Sequence, residues 1–156
     1  MNDAEVLERL AALGLELPPP AAAVAAYVPV IVSGGVGYVA GQIPMVDGVM
    51  LHPGRLGENV TVEQGQEAAR RCALQALSAL RAALGSFDRL ERIVRVDVLI
   101  TSAAGFTDQP KVANGASELL AAVLGELGQH ARVAVGVVSL PLGACVEVAV
   151  MAAVAG

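Results

Sequence analysis

Two charged residues stand inside apolar, β-branched runs, where a charge needs a reason. Arg132 opens the run Arg132-Val133-Ala134-Val135-Gly136-Val137, and Glu147 lies between Val146 and Val148. Taking an ion out of water is costly unless a partner or an open strand end solvates it. Arg132 therefore admits two readings. It is half of an internal or intersubunit salt bridge, with Glu147 the evident partner, or it is a planar fork that takes a small-molecule carboxylate in two parallel hydrogen bonds. Glu147 admits two as well: a counter-charge for an arginine or a backbone amide, or a carboxylate that positions and activates water. Tyr27 reads as a core ring with its hydroxyl at the edge. Asn114 reads as a polar, solvent-facing position on a helix.

Other chemistries find little support. His52 and His130 are the only histidines, and neither has metal-ligand spacing to Cys or carboxylates. No Walker loop, nucleophile elbow or dinucleotide fingerprint occurs. The glycine cluster Gly34-Gly35-Val36-Gly37 is accounted for by a hairpin turn. The net charge is −5 with a pI of about 4.9. Lys and Arg form no stripe, which argues against nucleic acid, whose binding depends on neutralising phosphates. No charge occurs between Glu16 and Asp47, but that stretch holds Pro18, Pro19, Pro20, Pro29 and Pro44 with Gly34, Gly35, Gly37 and Gly41. Such residues break helices, so short buried strands are expected rather than a membrane span. Met1 to Leu10 has no signal-peptide core, and two cysteines, Cys72 and Cys145, suggest reduced thiols in a cytoplasmic protein.

The elements that must carry Arg132 and Glu147 follow from local signals within a single domain spanning 1–156. Asp3 to Leu13 reads as a short helix capped by Asp3 and closed at Gly14, followed by a stiff triple-proline link. Tyr27 to Val32 and Val36 to Ala40 read as a hairpin about Ser33-Gly34-Gly35. Asp47-Gly48 turns a second hairpin. Thr61 with Gln64 forms a capping box for a helix that ends at Gly85, with Glu67 and Arg71 placed to pair on its surface. Ile93 to Thr101 reads as a strand with Val94, Val96, Val98 and Ile100 on one face. A second helix runs from about Pro110 to Leu124, capped by Asp108 and stopped by Gly125. Ala131 to Val138 and Ala144 to Ala152 complete the strands. Two helix crossovers place both helices on one face of a mixed sheet. With 55% apolar residues and 16% charged, the other face calls for cover by neighbouring subunits.

Several of these residues fall into one ordered pattern. Ala40-Gly41-Gln42-Ile43-Pro44 is similar to the Ser-Gly-Gln-Ile-Pro segment of the RidA family, also called YjgF/YER057c/UK114. Ala131-Arg132, Leu140-Pro141 and Val146-Glu147-Val148 resemble its C-terminal signature. Tyr27, and Phe106 followed by Val112-Ala113-Asn114, match further positions, so the likeness covers roughly residues 21 to 155. The resemblance implies an α+β, chorismate-mutase-like fold assembled as a homotrimer with ligand clefts between subunits. It implies hydrolysis of imines or enamines derived from amino acids to ketoacids and ammonia, with no metal or cofactor; endoribonuclease activity, attached to some relatives, is the weakest expectation given the acidic charge balance and scarce aromatics. Arg132 would hold the substrate carboxylate and Glu147 would position water. Gly41 and Ala134 would line the pocket with backbone, and Tyr27 and Asn114 would close it. Ala134 stands where imine-hydrolysing members often have Cys, and Ala40 where Ser is common. Two polar groups are thereby lost, which favours the competing expectation of a non-catalytic sensor of small carboxylates. The N-terminal helix and the long loop between Ile43 and Val60 imply a longer, divergent subgroup.

Overall fold

The computed structural model describes residues 1–21 and 26–156. The element order is α1 (Asp3–Ala12), β1 (Val30–Ser33), β2 (Val36–Gln42), β3 (Met45–Val46), β4 (Val49–Met50), α2 (Val62–Leu84), β5 (Leu90–Thr101), α3 (Gln109–Leu124), β6 (Ala131–Val137) and β7 (Val146–Val154). Five strands form one sheet in the order β1-β2-β7-β5-β6, and β3-β4 is a separate hairpin. Only β5 and β6 run parallel; the other neighbours in the sheet are antiparallel. This is the expected mixed α+β sheet. α2 packs on β2 and β7, and α3 on β5 and β6. No helix among the described residues is long and apolar enough to cross a membrane.

The alternation of β7 shows how the sheet divides inside from outside. Val146, Val148, Val150, Ala152 and Val154 are buried beneath the helices, while Glu147, Ala149, Met151 and Ala153 occupy the other face. Among the described residues that other face carries no helix, and Ile31, Tyr38 and Val135 stand exposed around it. With Phe87 the one fully buried aromatic, the core closes by bringing backbones together. A Cβ on Gly115 of α3 would stand 2.7 Å from the carbonyl carbon of Gln66 on α2. The two helices therefore cross at backbone contact, and Gly115 turned toward α2 leaves other positions of α3 to face β6.

Local signals are met where they are strongest. Thr61 and Gln64 form the reciprocal capping box, and Gly85 ends α2 in the left-handed region at φ 84°. Gly34 and Gly35, and Asp47 and Gly48, all have positive φ, as two-residue hairpin turns demand. Four expectations are corrected. Asn2 caps α1, in a box with Glu5, because Asp3 is engaged elsewhere. The Asp108 side chain makes no cap bond to the amides of α3 and pairs with Lys111 at 3.1 Å instead. Glu67 does not meet Arg71: it bonds His52 at 2.6 Å, and Arg71 reaches the Met45 carbonyl. Val94 is 44% exposed, because a bulge between Ile93 and Arg95 moves it off the core face and hands its place to Ile93.

Asp3 fastens α1 to the body. Its carboxylate takes two hydrogen bonds of 2.8 Å from Arg81 and one of 2.9 Å from the Phe87 amide, while Val6 and Leu10, one turn apart, enter the core. The Arg81 guanidinium holds the Asp3 carboxyl below its ordinary 3.8. A depressed acid pKa stabilises the fold above the unfolded value and loses that contribution as pH falls through the folded one. Asp3→Asn is therefore expected to lower Tm by a few degrees at neutral pH. The gap from wild type should persist down to about pH 4 and close below it, as thermal melts across pH will show.

Candidate functional site

The register of the sheet fixes where the two charged residues point. Glu147 pairs with Leu99, and Leu99 with Val135, so all three share the open face. Arg132 pairs with Val96, which is fully buried on the helix face. A single protomer thus directs Glu147 and Arg132 to opposite sides of the sheet, two strands apart. The Arg132–Glu147 salt bridge does not form within the chain, and each residue has its own surroundings.

Glu147 borders a cleft of about 320 Å³ lined by Tyr27, Gly41, Ile43, Gln75, Leu142 and neighbouring groups. Among the described residues no donor lies within hydrogen-bonding distance of its carboxylate. Partial burial raises its pKa above the ordinary 4.5, because the charged form has given up water and gained no cation. Gly41 lies against it for a geometric reason. The β2–β7 register passes from Val39↔Val150 to Gln42↔Val148, an extra residue on β2 that bulges the strand. A Cβ at position 41 would stand 2.9 Å from the Glu147 Cδ and collide with Oε1. Tyr27 is half exposed at the mouth of this cleft rather than in the core.

The segment after Gly41 is held by α2. Pro44 has no amide to continue a ladder. In place of a neighbouring strand, the Gln75 side-chain amide donates to the Ile43 carbonyl at 2.9 Å and accepts from the Met45 amide at 3.0 Å. Arg71 donates to the Met45 carbonyl at 2.7 Å and to Gln75 at 3.2 Å. Gln75 is not singled out in the sequence, and Arg71 is expected only as a surface partner of Glu67. The available signal was a Gln amid Cys72-Ala73-Leu74 and Ala76-Leu77, a polar group that a half-buried helix face must satisfy.

Arg132 lies at the start of β6, an edge strand, beside α3. Its Nη1 donates to Asn114 Oδ1 at 2.9 Å and to Ser117 Oγ at 3.1 Å, and its Nη2 donates to the Pro110 carbonyl at 3.3 Å. Asn114 is thus turned to Arg132 rather than to solvent. Of five guanidinium hydrogens, three have protein acceptors. Among the described residues the Nε hydrogen and one on Nη2 remain without acceptors, on the two nitrogens of the fork edge that a carboxylate can meet. Ala134, two residues on, lies on the same face and packs against the core. Asn114, Ala134 and Arg132 thus form one group, and Tyr27, Gly41 and Glu147 another.

A five-stranded mixed sheet in this order, with two helices on one face and a carboxylate on the other, defines the chorismate-mutase-like α+β class. The chain belongs to the YjgF family: the profile described as "YjgF/chorismate mutase-like, putative endoribonuclease" matches residues 7–154. Protein TCP17 of Trypanosoma cruzi is 49% identical over 144 residues, 92% of this chain and 90% of that protein. The crystal structure of Atu1372 from Agrobacterium tumefaciens, a protein of unknown function, superposes with a TM-score of 0.92 at 40% identity. It covers 98% of this chain and 94% of that one. RidA from the Antarctic bacterium Psychrobacter is similar at a TM-score of 0.59 and 26% identity, over 87% of this chain and 94% of that one.

Proposed function

We propose that this protein hydrolyses reactive imines or enamines of small amino-acid-derived carboxylates to ketoacids and ammonia, in clefts between the subunits of a homotrimer. The observation that carries the reading is the Arg132 guanidinium, pinned by three acceptors and left with donor capacity on Nε and Nη2, the two nitrogens of one edge of the fork. That edge would hold the substrate carboxylate. An enamine first becomes the imine by protonation at carbon. Water then adds to the C=N carbon, and Glu147 takes the proton released as the C–O bond forms and returns it to nitrogen. The C–N bond breaks as the hydroxyl gives up its proton to Glu147, leaving the ketoacid C=O and ammonia. A protonated imine carbon is already electrophilic, so orientation and one placed water are sufficient help. Gly41 and Ala134 contribute backbone, and Tyr27 and Asn114 close the cleft. The free, buried thiols Cys72 and Cys145 suit a reducing compartment such as the cytoplasm.

The two half-sites lie on different surfaces of the protomer, so completing a cleft takes a contact that joins unlike patches. Contacts of that kind close into rings where the rotation between neighbouring copies closes. A ring of three covers the exposed Ile31, Tyr38 and Val135 and builds three clefts. Light scattering should give about 47 kDa, three copies of 15.8 kDa; a stable monomer at micromolar concentration would refute the intersubunit site.

A second reading, a non-catalytic sensor of small carboxylates, is favoured by Ala134 and Ala40, which bring no polar side chain to the cleft. RNA cleavage is opposed by the net charge of −5. The deciding experiment incubates the protein with a panel of amino-acid-derived imines and follows ammonia and ketoacid release. Turnover supports the enzyme, and binding of ketoacids without turnover of any imine supports the sensor.

A further inference from the structure

We infer that Ser117 and His130 are positioning residues for Arg132, forming a directional hydrogen-bond relay that presents the free edge of the guanidinium. The inference rests on the proposed role of Arg132 as a carboxylate clamp. His130 immediately precedes β6, and its Nδ1 lies 2.6 Å from the Gly128 carbonyl. A carbonyl only accepts, so Nδ1 carries the hydrogen. In the neutral ring Nε2 then offers a lone pair, 2.9 Å from Ser117 Oγ. Arginine only donates, so Ser117 Oγ accepts from Nη1 and passes its own hydrogen to His130. Every donor in the chain Arg132 to Ser117 to His130 to Gly128 points the same way, and none competes for an acceptor.

The relay has a consequence at the fork. Ser117 is one turn beyond Asn114 on α3, and the two oxygens together consume both hydrogens of Nη1. With Nη1 engaged twice and Nη2 once, the guanidinium plane is held and the donors left for a ligand are on Nε and Nη2. Without Ser117, an Nη1 hydrogen lacks its acceptor and the plane is held only through Asn114 and the Pro110 carbonyl. His130 acts one bond further out. By holding the Ser117 hydrogen, it keeps that hydroxyl from presenting a hydrogen to the cation.

A serine 2.9 Å from a histidine whose other nitrogen faces a carbonyl also has the hydrogen-bond pattern of a nucleophile and its base. One observation opposes that use: Arg132 already occupies an Oγ lone pair.

The test compares benzoate and its neutral counterpart benzamide on the assembled protein by calorimetry. Ser117→Ala and His130→Phe should each weaken benzoate by about tenfold, the loss expected for a disturbed charge-assisted bond. Benzamide should bind as in wild type, and Ser117→Thr and His130→Gln, which keep a hydroxyl and an acceptor, should restore benzoate. A merely structural role would move both ligands together with the melting curve. If Arg132→Lys loses benzoate while Ser117→Ala and His130→Phe keep it within about twofold of wild type, the relay is wrong and the clamp stands. If Arg132→Lys also binds normally, the clamp is wrong. The relay is then judged by the Arg132 Nε–H signal in side-chain NMR, which should exchange faster with solvent in Ser117→Ala and, if unchanged, overturns it. Labelling of Ser117 by a sulfonyl fluoride would overturn the positioning role in favour of a nucleophile.

Discussion

Arg132→Lys is expected to weaken the binding of small carboxylates by about a hundredfold, with Tm within a few degrees of wild type. Lysine keeps the charge at this position but replaces a planar fork by a single ammonium on a flexible stem. Two parallel charge-assisted hydrogen bonds to the ligand become one at best, and a bond to a charged group contributes roughly 1.5–3 kcal/mol, so the loss of one and the misplacement of the other amount to about a hundredfold. The fold should tolerate the change. Asn114, Ser117 and the Pro110 carbonyl, which lose their donor, lie beside an open sheet edge where water replaces it. Calorimetry with pyruvate and benzoate, paired with thermal melts, reads both quantities. Wild-type affinity in the variant would remove Arg132 from ligand binding, whereas a collapse of Tm would recast it as a structural residue.

Glu147→Gln is expected to lower kcat for imine hydrolysis by at least about tenfold while leaving the carboxylate-ligand Kd unchanged. A positioned acid or base typically contributes 10²–10⁴-fold, and so reactive a substrate should need less. Gln keeps the shape of Glu147 and its place against Gly41 but cannot take a proton from water. Stability gives an independent check of opposite sign from Asp3. Burial raises the Glu147 pKa above 4.5, so ionisation opposes folding, and the cost appears as pH rises from the unfolded value through the folded one. Gln imitates the protonated acid. The variant should therefore melt slightly above wild type at neutral pH and together with it in acid. An unchanged kcat would take Glu147 out of the mechanism, and a loss of Tm at neutral pH would show that its charge meets a cation in the assembly.

Local chemistry made much of the fold legible. The Thr61–Gln64 box, the Gly85 stop and the Gly34-Gly35 and Asp47-Gly48 turns are each settled within a few residues, and each stands as expected. The face alternation of β7 was equally plain, since a period of two needs no partner to be seen. What stayed hidden depends on distant chain. Asn2 and Asp3 are both good caps, and the choice is made by Arg81, 78 residues away from Asp3. Val94 leaves the core through a bulge that only the pairing with β7 reveals. Arg132 and Glu147 both read as charges in apolar strands, but whether they share a face depends on strand order and register, which alternation alone does not disclose. Ser117 had a visible clue in its spacing from Asn114, whereas the part played by His130 depends on how its ring meets α3.

The side-chain amide of Gln75 standing in for a strand has a bearing on how the molecule breathes. Protection against hydrogen exchange follows cooperative units, and a two-residue ladder such as β3–β4 would by itself open at little cost. The Met45 amide, however, ends on a helix side chain flanked by Arg71 on the same helix. Its opening breaks a bond to a side chain anchored on α2, a deeply packed element, while among the described residues the Val49 side of the hairpin has no such tether. The lip of the cleft beside Gly41 and Glu147 is thus tied to α2, and the tip at Asp47-Gly48 can fray without loosening it.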